Sequence, residues 1–155
     1  MTITLQDVAV ITGLRVHGPP VGGIRYDSRI TERFVRLLGQ DPPEIKKNCI
    51  LLTWLREHIC VPPPDDASEE QVEHVARGYI LHMLASVFFP DNNKTTVPMK
   101  WLQYIEDLEV CGRYSWGSAV LAYLYSELTS VALCAKKEIT LCATLFQVGL
   151  FYFEE

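Results

Sequence analysis

Four arginines near the start of the chain are the residues best placed to do chemistry: Arg25, Arg29, Arg33 and Arg36. The last three are spaced i, i+4 and i+7, which puts them on one face of a helix. They are candidate contacts for an anion, such as a nucleic-acid phosphate, or for a partner. The alternative is a solvated face with Asp27 and Glu32 as ion-pair partners. We favour the solvated face, because four arginines are a small footprint for DNA.

Metal binding needs ligands that converge on one ion. His58 and Cys60 form a close pair, and His74 and His82 lie eight residues apart on one predicted helix. Neither pair has the H-x-x-x-H or C-x-x-C spacing that brings ligands together. We therefore expect no metal and no cofactor.

Nucleophilic catalysis needs a serine or cysteine beside a base. Ser115 has no histidine near it in the sequence and no G-x-S-x-G elbow around it, so a helix cap explains it better. Cys111 lies near Arg113, which could lower a thiol pKa, but a core thiol is the better interpretation. Three nearby acids could resemble the paired carboxylates of an acid–base site, but on a helix they point in different directions: Glu106, Asp107 and Glu109. A solvated helix face is the better interpretation. No residue pattern predicts a small-molecule substrate.

The rest of the chain is organised around an aromatic stretch at 101–128. Its pattern predicts two helices joined by a tight corner. The first helix is predicted from about Pro98 to Val110. Gly112 should end it by taking a positive φ, and Ser115 should cap a mostly apolar second helix in the middle of the fold. The spacing also predicts that Trp101 and Trp116 pack against one another across this corner.

The remaining chain is predicted to be mostly helical. Thr4 and Asp7 form a capping box for a short first helix, and Ser68 and Gln71 form another. A helix is predicted at 30–38, with Phe34, Leu37 and Leu38 facing inward, and one or two helices at 44–59. A long core helix is predicted at 69–89, with apolar residues at three- and four-residue spacing on its inward face: Val72, Val75, Tyr79, Met83 and Val87. The glycines and prolines of 14–26 predict a small hairpin or extended loop. The expected fold class is therefore mainly α, a compact multi-helix domain with at most one short β-hairpin near residues 14–26.

Length and composition fit one domain over 1–155. The net charge of −5 is uneven, with +2 on residues 1–64 and −7 on 65–155, which leaves no broad basic surface. The five cysteines lack C-x-x-C spacing, so we expect reduced thiols in a cytosolic or nuclear protein. The apolar run at 139–153 is shorter than the twenty or so residues that span a bilayer, so we expect a buried element and no membrane segment.

The corner also carries a family resemblance. WLQYIEDLE followed by CGRYSWGSAVLAYLY closely resembles the plant mobile domain, and TITLQDVAVITGLRVHGPPVGG and Phe89-Pro90-Asp91 are similar to other blocks of that family. The motif residues are Trp101, Gly112, Arg113, Tyr114, Ser115, Trp116 and Gly117. After about residue 138 the resemblance weakens, because Thr140-Leu141-Cys142 replaces a Gly-Gly-Pro of the family. We therefore expect a fragment or a diverged copy at the C-terminal end.

The resemblance implies a biological role that the residues alone do not name. The family occurs in MAINTENANCE OF MERISTEMS and MAIN-LIKE proteins, in transposable elements and in long-form homologs of protein phosphatase seven. It implies a non-enzymatic interaction domain of the plant nucleus, with roles in meristem maintenance, transposable-element silencing and genome stability. The implied partner is a phosphatase-like protein that carries the same domain.

The sequence leaves two alternatives to that role. A nucleic-acid-binding domain of transposon origin, using the arginine face, is the second hypothesis. An enzyme ranks third. The family label "aminotransferase-like" is not supported here, because a pyridoxal-phosphate enzyme needs a Schiff-base lysine, a phosphate cup and a partner for the pyridine nitrogen. The clustered ligands of a two-metal phosphatase are also missing from the sequence pattern.

Overall fold

The computed structural model describes residues 3–23, 28–91 and 95–133, and it confirms a mainly α domain. The α-helices are α1 (Leu5–Thr12), α2 (Ile30–Leu38), α3 (Leu52–His58), α4 (Glu69–Met83), α5 (Leu108–Cys111) and α6 (Trp116–Ala132). A π-helical turn, Leu84–Phe88, extends α4, and a 3₁₀-helix spans Met99–Tyr104. Strands β1 (Cys49–Leu51) and β2 (Thr96–Pro98) form an antiparallel pair. Helix α1 packs on α6, and α2 and α3 pack on α4.

The helix starts that depend on local chemistry are confirmed. The Thr4 side chain accepts from the Asp7 N–H, and Asp7 accepts from the Thr4 N–H, which completes the capping box of α1. Ser68 and Gln71 do the same for α4. Helix α2 has the predicted bounds, and its inward residues are buried as expected: Phe34, Leu37 and Leu38.

The β-structure lies elsewhere than predicted. The described residues of 14–26, which are 14–23, form no strand; they lie against the start of α6, where their carbonyls accept from that helix. The predicted helix at 44–59 is shorter, because β1 replaces its first part. A tight turn with positive φ at Lys47 (51°) and Asn48 (58°) leads into β1, and Ile50 pairs with Val97. These pairings join distant segments, so local spacing does not reveal them.

The long helix buries a different face from the predicted one. Val72, Tyr79 and Met83 are 46–47% exposed, and Val87 is 39% exposed. The core side instead holds Arg77, Gly78, Leu81, Leu84 and Ala85. A methyl group at Gly78 would lie 2.4 Å from the side chain of Ile59, which follows the last residue of α3. The glycine therefore allows the C-terminal end of α3 to approach this face of α4 closely. Periodicity alone does not separate two neighbouring apolar stripes.

The helix predicted from Pro98 to Val110 is broken. The 3₁₀-helix ends at Tyr104, and α5 begins at Leu108 after Asp107, whose side chain accepts from the N–H groups of Glu109 and Val110. Arg77 holds the break from the other side. Its buried guanidinium donates to the carbonyls of Ile105 at 3.1 Å and Glu106 at 3.4 Å, and these contacts come from a segment about thirty residues away in sequence.

Some predictions fall outside the described residues. The apolar run at 139–153, Cys134, Cys142 and the departure from the family near 138 belong to this group. Cys49, Cys60 and Cys111 carry free thiols. None of the helices in the described part of the chain has the length and apolarity needed to cross a bilayer.

Candidate functional site

The family motif builds an aromatic corner, which we define as Phe89, Trp101, Tyr104, Tyr114 and Trp116. The rings of Trp101 and Trp116 lie 6.2 Å apart between centroids, which confirms that they pack across the corner. Phe89 stacks on Trp101 at 4.7 Å, and Tyr114 meets Tyr104 edge to face at 5.4 Å. The Trp116 indole N–H donates to the Cys111 carbonyl at 2.8 Å. The corner is therefore a packed ring cluster with its Trp116 polar group paired.

The N-terminal loop fixes the start of α6. Ser115 lies at the N-cap position, but its hydroxyl makes no capping bond; it donates to the Pro19 carbonyl at 3.0 Å, as does its backbone N–H. The Gly117 N–H donates to the Arg15 carbonyl at 2.8 Å, and the Ser118 hydroxyl donates to Val16 at 2.8 Å. The prediction that the Ser115 side chain caps α6 is therefore wrong. Loop carbonyls take the place of that cap.

Two glycines allow this close contact. A methyl group at Gly117 would lie 2.8 Å from the Val16 side chain and 3.1 Å from the Arg15 carbonyl oxygen. One at Gly18, where φ is 131°, would lie 2.1 Å from the Arg113 carbonyl oxygen. Gly112 behaves differently from the prediction. It ends α5 with φ −67°, a conformation open to any residue, because the turn continues through 3₁₀-type bonds without left-handed backbone.

The other motif side chains frame the corner. Arg113 is exposed and lies 3.5 Å from the Glu109 carboxylate, on its own helical turn. The half-buried Tyr114 packs between Tyr104 and Trp116. The Tyr104 hydroxyl in turn donates to the Gly22 carbonyl at 3.1 Å, which ties a second part of the N-terminal loop to the corner.

The arginine stripe, Arg29, Arg33 and Arg36, lines one open groove of about 480 Å³ together with Glu32 and Glu106. Arg36 forms an ion pair with Glu106, an acid from the break before α5. The fourth predicted member, Arg25, lies outside the described residues. The structure thus brings the three described arginines together, and it places acids among them, which reduces the positive charge that the groove presents.

A second cavity, which the sequence did not reveal, opens beside the corner. We call it the acidic pocket; its volume is about 490 Å³. Its lining includes Phe89, Pro90, Asp91, Lys100, Trp101, Tyr123 and Glu127, with Ala119 and Ala122 leaving space on α6. Two buried polar atoms of this lining, Asp91 Oδ1 and Trp101 Nε1, have no hydrogen-bond partner among the described residues.

The charge of the acidic pocket acts on Tyr123. Burial, followed by the carboxylates of Glu127 and Asp91, raises the pKa of Tyr123 to about 12. The Tyr123 hydroxyl therefore stays neutral at physiological pH, and it donates to the Pro90 carbonyl. Lys100 also lines this pocket, with its Nζ 4.7 Å from the centroid of the Trp101 ring. The pocket thus combines aromatic walls with two carboxylates.

The remaining candidate chemistry receives little support from the geometry. Burial raises the pKa of the Cys111 thiol, which is the opposite of activation, although a bond with Trp116 acts the other way. Burial also raises the pKa of Cys60. In the described ranges, no group of three or more potential ligands is placed to hold a metal ion.

Sequence reasoning missed Arg77 and the acidic pocket. Arg77 is 9% exposed and pairs with Glu73 at 2.8 Å. The available signal was an arginine four residues after a glutamate in an otherwise apolar stretch of helix. The pocket had no signal of this kind, because its acids come from separate segments.

Comparison with known proteins finds a matching family and several relatives of the whole chain. A family model described as the plant mobile domain matches residues 1–154. Protein MAIN-LIKE 2 of Arabidopsis thaliana is 35% identical over 158 residues, covering 98% of this chain and 23% of that protein. Protein MAINTENANCE OF MERISTEMS, from the same plant, is 32% identical over 154 residues, covering 98% of this chain and 32% of that protein.

A further relative is named as a phosphatase homolog. The Arabidopsis serine/threonine-protein phosphatase 7 long form homolog is 32% identical over 158 residues, covering 99% of this chain and 11% of that protein. The chain thus spans between about a tenth and a third of the length of these relatives. No solved structure matches the chain. The match of the family model over residues 1–154, together with relatives 32–35% identical over 98% of the chain, shows that the chain belongs to the plant mobile domain family.

Proposed function

We propose that this chain is a non-enzymatic protein-interaction domain. The observation that carries the proposal is the way the domain recurs. The segment that matches this chain covers 32% of MAINTENANCE OF MERISTEMS but 11% of a protein named as a phosphatase homolog, so it is joined to remainders of very different length. A module that is reused in this way is typical of assembly functions, in which chemistry belongs to the attached parts.

The side-chain geometry supports the same interpretation. The motif residues are used in internal packing and in bonds to the N-terminal loop, as with Trp116 on Cys111 and Gly117 on Arg15. The thiol nearest to them, Cys111, has a pKa raised by burial. These contacts explain the family motif as architecture, without assigning it a reaction.

The family role suggests where the chain acts and with what. We propose a nuclear role in plants, in assemblies that maintain transposable-element silencing, genome stability and meristem function. The proposed partner is a phosphatase-like protein that carries the same domain, in line with the relative named as a phosphatase 7 long form homolog.

The proposed partnership is tested with the purified 155-residue chain and the purified Arabidopsis phosphatase 7 long form homolog. The two proteins should elute together from a size-exclusion column at micromolar concentration, and a fluorescent fusion of the chain should accumulate in plant nuclei. A tagged chain carrying Trp116→Ala, which we expect to be unstable, serves as the control for folding. Separate elution of the two folded proteins would remove the proposed partner, and exclusion from nuclei would remove the proposed place of action.

A nucleic-acid-binding function is the second candidate. The observation that favours it is the placement of Arg29, Arg33 and Arg36 on one open groove. Its signature is retention on DNA that falls steeply with salt, because phosphate contacts release counterions. Retention that is independent of Arg29→Ala with Arg33→Ala would rule out the stripe as the DNA contact.

A further inference from the structure

The outer side of α4 carries an exposed apolar stripe, which we call the α4 stripe. Its members recur at spacings of seven, four and four residues and continue into the π-helical turn: Val72, Tyr79, Met83 and Val87. The half-buried Ala76 lies on the same side, between the first two. Single exposed apolar residues are ordinary, whereas a contiguous apolar surface is typical of an interaction site.

The charges of α4 lie away from the stripe. Within residues 72–87 the acidic and basic side chains are Glu73 and Arg77, which pair with each other at 2.8 Å, and Arg77 is buried. Glu69 and Glu70 are exposed in the first turn of α4, where the helix dipole favours acids. The stripe therefore offers apolar contact along its length, with negative charge at one end.

Tyr79, near the middle of the stripe, is held in place before any partner arrives. Its hydroxyl donates to the Cys60 carbonyl at 3.2 Å, while the side chain stays 46% exposed. A side chain that is already ordered loses little rotational freedom when a partner covers it. The ring is thus a prepared contact at the centre of the surface.

We propose that the α4 stripe pairs with the α4 stripe of a second copy of this chain, in an antiparallel arrangement. A two-fold axis makes both copies present the same surface, so that surface has to complement itself. With the axis between positions 79 and 80, the small Ala76 lies opposite the long Met83 of the second copy, and Val72 lies opposite Val87. Small residues facing large ones let two packed surfaces interdigitate. The proposal rests on the proposed interaction function and adds a partner to it.

Charge selects the antiparallel orientation over the parallel one. A parallel pair would place the acidic starts of the two helices side by side, with Glu69 and Glu70 of each copy in one place. In the antiparallel pair, Glu70 lies opposite position 89 of the second copy. The two acidic starts are then separated by roughly 28 Å at about 1.5 Å of rise per residue, beyond the Debye length of roughly 8 Å at physiological salt.

The size of the stripe sets the strength of the pairing. Residues 72–87 extend over about 24 Å, and a helix with its side chains is about 10 Å wide, which gives roughly 240 Å² in projection. A stable interface of standard size buries roughly 800 Å² per partner. The pair is therefore weak and reversible, and it forms at high protein concentration.

Sedimentation equilibrium of the 155-residue chain, from micromolar to millimolar concentration, tests the proposal. The average mass should rise from that of the 17.6 kDa monomer towards twice that value. Met83→Lys should weaken self-association by roughly tenfold or more, because the two-fold axis buries the new charge twice in an apolar surface. Val10→Lys makes the same charge change at a 78% exposed apolar residue of α1, and it should associate like the unaltered chain.

A charge exchange tests the register. Ala76→Glu alone should weaken self-association, as Met83→Lys does. The two changes together should restore it, because each new carboxylate faces a new ammonium of the other copy in the antiparallel register. Positions 76 and 83 are seven residues apart, too far for the pair to form within one helix. Circular dichroism at low concentration checks that each variant keeps its helices.

Several outcomes would overturn the proposal. The unaltered chain may not remain a monomer at millimolar concentration if the proposal holds, so a constant mass of 17.6 kDa would reject it without any variant. Equal weakening by Val10→Lys, or no restoration by the charge exchange, would place the interface elsewhere. A monomeric chain whose Met83→Lys variant loses the phosphatase homolog would assign the stripe to that protein instead. Sedimentation of the chain alone needs no second protein, so its failure leaves the size-exclusion test of the proposed function intact.

Discussion

The aromatic corner and the acidic pocket share Trp101, but they differ in how their polar groups are used. At the corner and the adjoining start of α6, the Trp116 N–H, the Ser115 hydroxyl and the Gly117 N–H each have a protein acceptor. In the pocket, the Trp101 N–H and one Asp91 oxygen have none among the described residues. The family motif therefore contains residues that hold the domain together, whereas the pocket side of Trp101 contains buried polar atoms that this packing leaves without partners among the described residues.

The largest expected effect is on the corner. Trp116→Ala should destabilise the chain by about 3–5 kcal/mol, because it leaves a cavity and removes a paired indole. That is a large share of a stability of roughly 5–15 kcal/mol, so the variant should be unstable or insoluble. Urea unfolding checks the change. A variant that keeps wild-type stability but loses a partner would make the corner a binding surface.

Burial and nearby carboxylates at Tyr123 should make the free energy of unfolding depend on pH in the alkaline range. The folded chain raises the pKa of Tyr123 from 10.0 to about 12, so it holds this proton more tightly than the unfolded chain. The resulting stabilisation is complete below about pH 10 and is lost as the pH rises towards about 12. Urea unfolding across this range should show the loss, and Tyr123→Phe should lack the part that Tyr123 contributes.

Glu127→Gln tests how much one carboxylate of the acidic pocket contributes to the raised pKa of Tyr123. Removing one of the two carboxylates should lower the pKa of Tyr123, so the loss of stability should end at a lower pH than in the unaltered chain. Ultraviolet titration of the tyrosines measures this directly. An unchanged Tyr123 titration would mean that Glu127 and Tyr123 do not share one electrostatic environment.

The smallest expected effect concerns the arginine stripe. Arg29→Ala with Arg33→Ala should leave the fold intact, with a change within about 0.5 kcal/mol at the exposed Arg29 and up to about 1 kcal/mol at the half-buried Arg33, because ion pairs near the surface contribute little. Urea unfolding of the double variant measures the sum. A loss of several kcal/mol would place these arginines in a structural network.

Features set by neighbouring residues could be predicted from the sequence. The Thr4–Asp7 and Ser68–Gln71 capping boxes depend on residues three apart, and the amphipathic pattern gave the bounds of α2 and its buried side. The packing of Trp101 on Trp116 followed from a short link between them.

Features set by distant segments could not be predicted. The inward face of α4 depends on the contact of Gly78 with Ile59, and the break after Tyr104 depends on Arg77. The Ser115 hydroxyl donates to the Pro19 carbonyl, 96 residues away, instead of capping α6, and the Arg15 carbonyl accepts from the Gly117 N–H. The acidic pocket combines Asp91, Trp101 and Glu127 from separate segments, so no motif marks it.

The free energies of unfolding of Gly117→Ala and Gly22→Ala test most directly whether the family motif has an architectural role. The added methyl group of Gly117→Ala meets Val16 at 2.8 Å and the Arg15 carbonyl oxygen at 3.1 Å, whereas that of Gly22→Ala meets nothing within 4 Å. If the motif is architectural, Gly117→Ala should cost about 1–3 kcal/mol through overpacking, and Gly22→Ala should stay within about 0.5 kcal/mol of the unaltered chain. Equal stability of the two variants would contradict the claim that the motif holds the N-terminal loop against the corner.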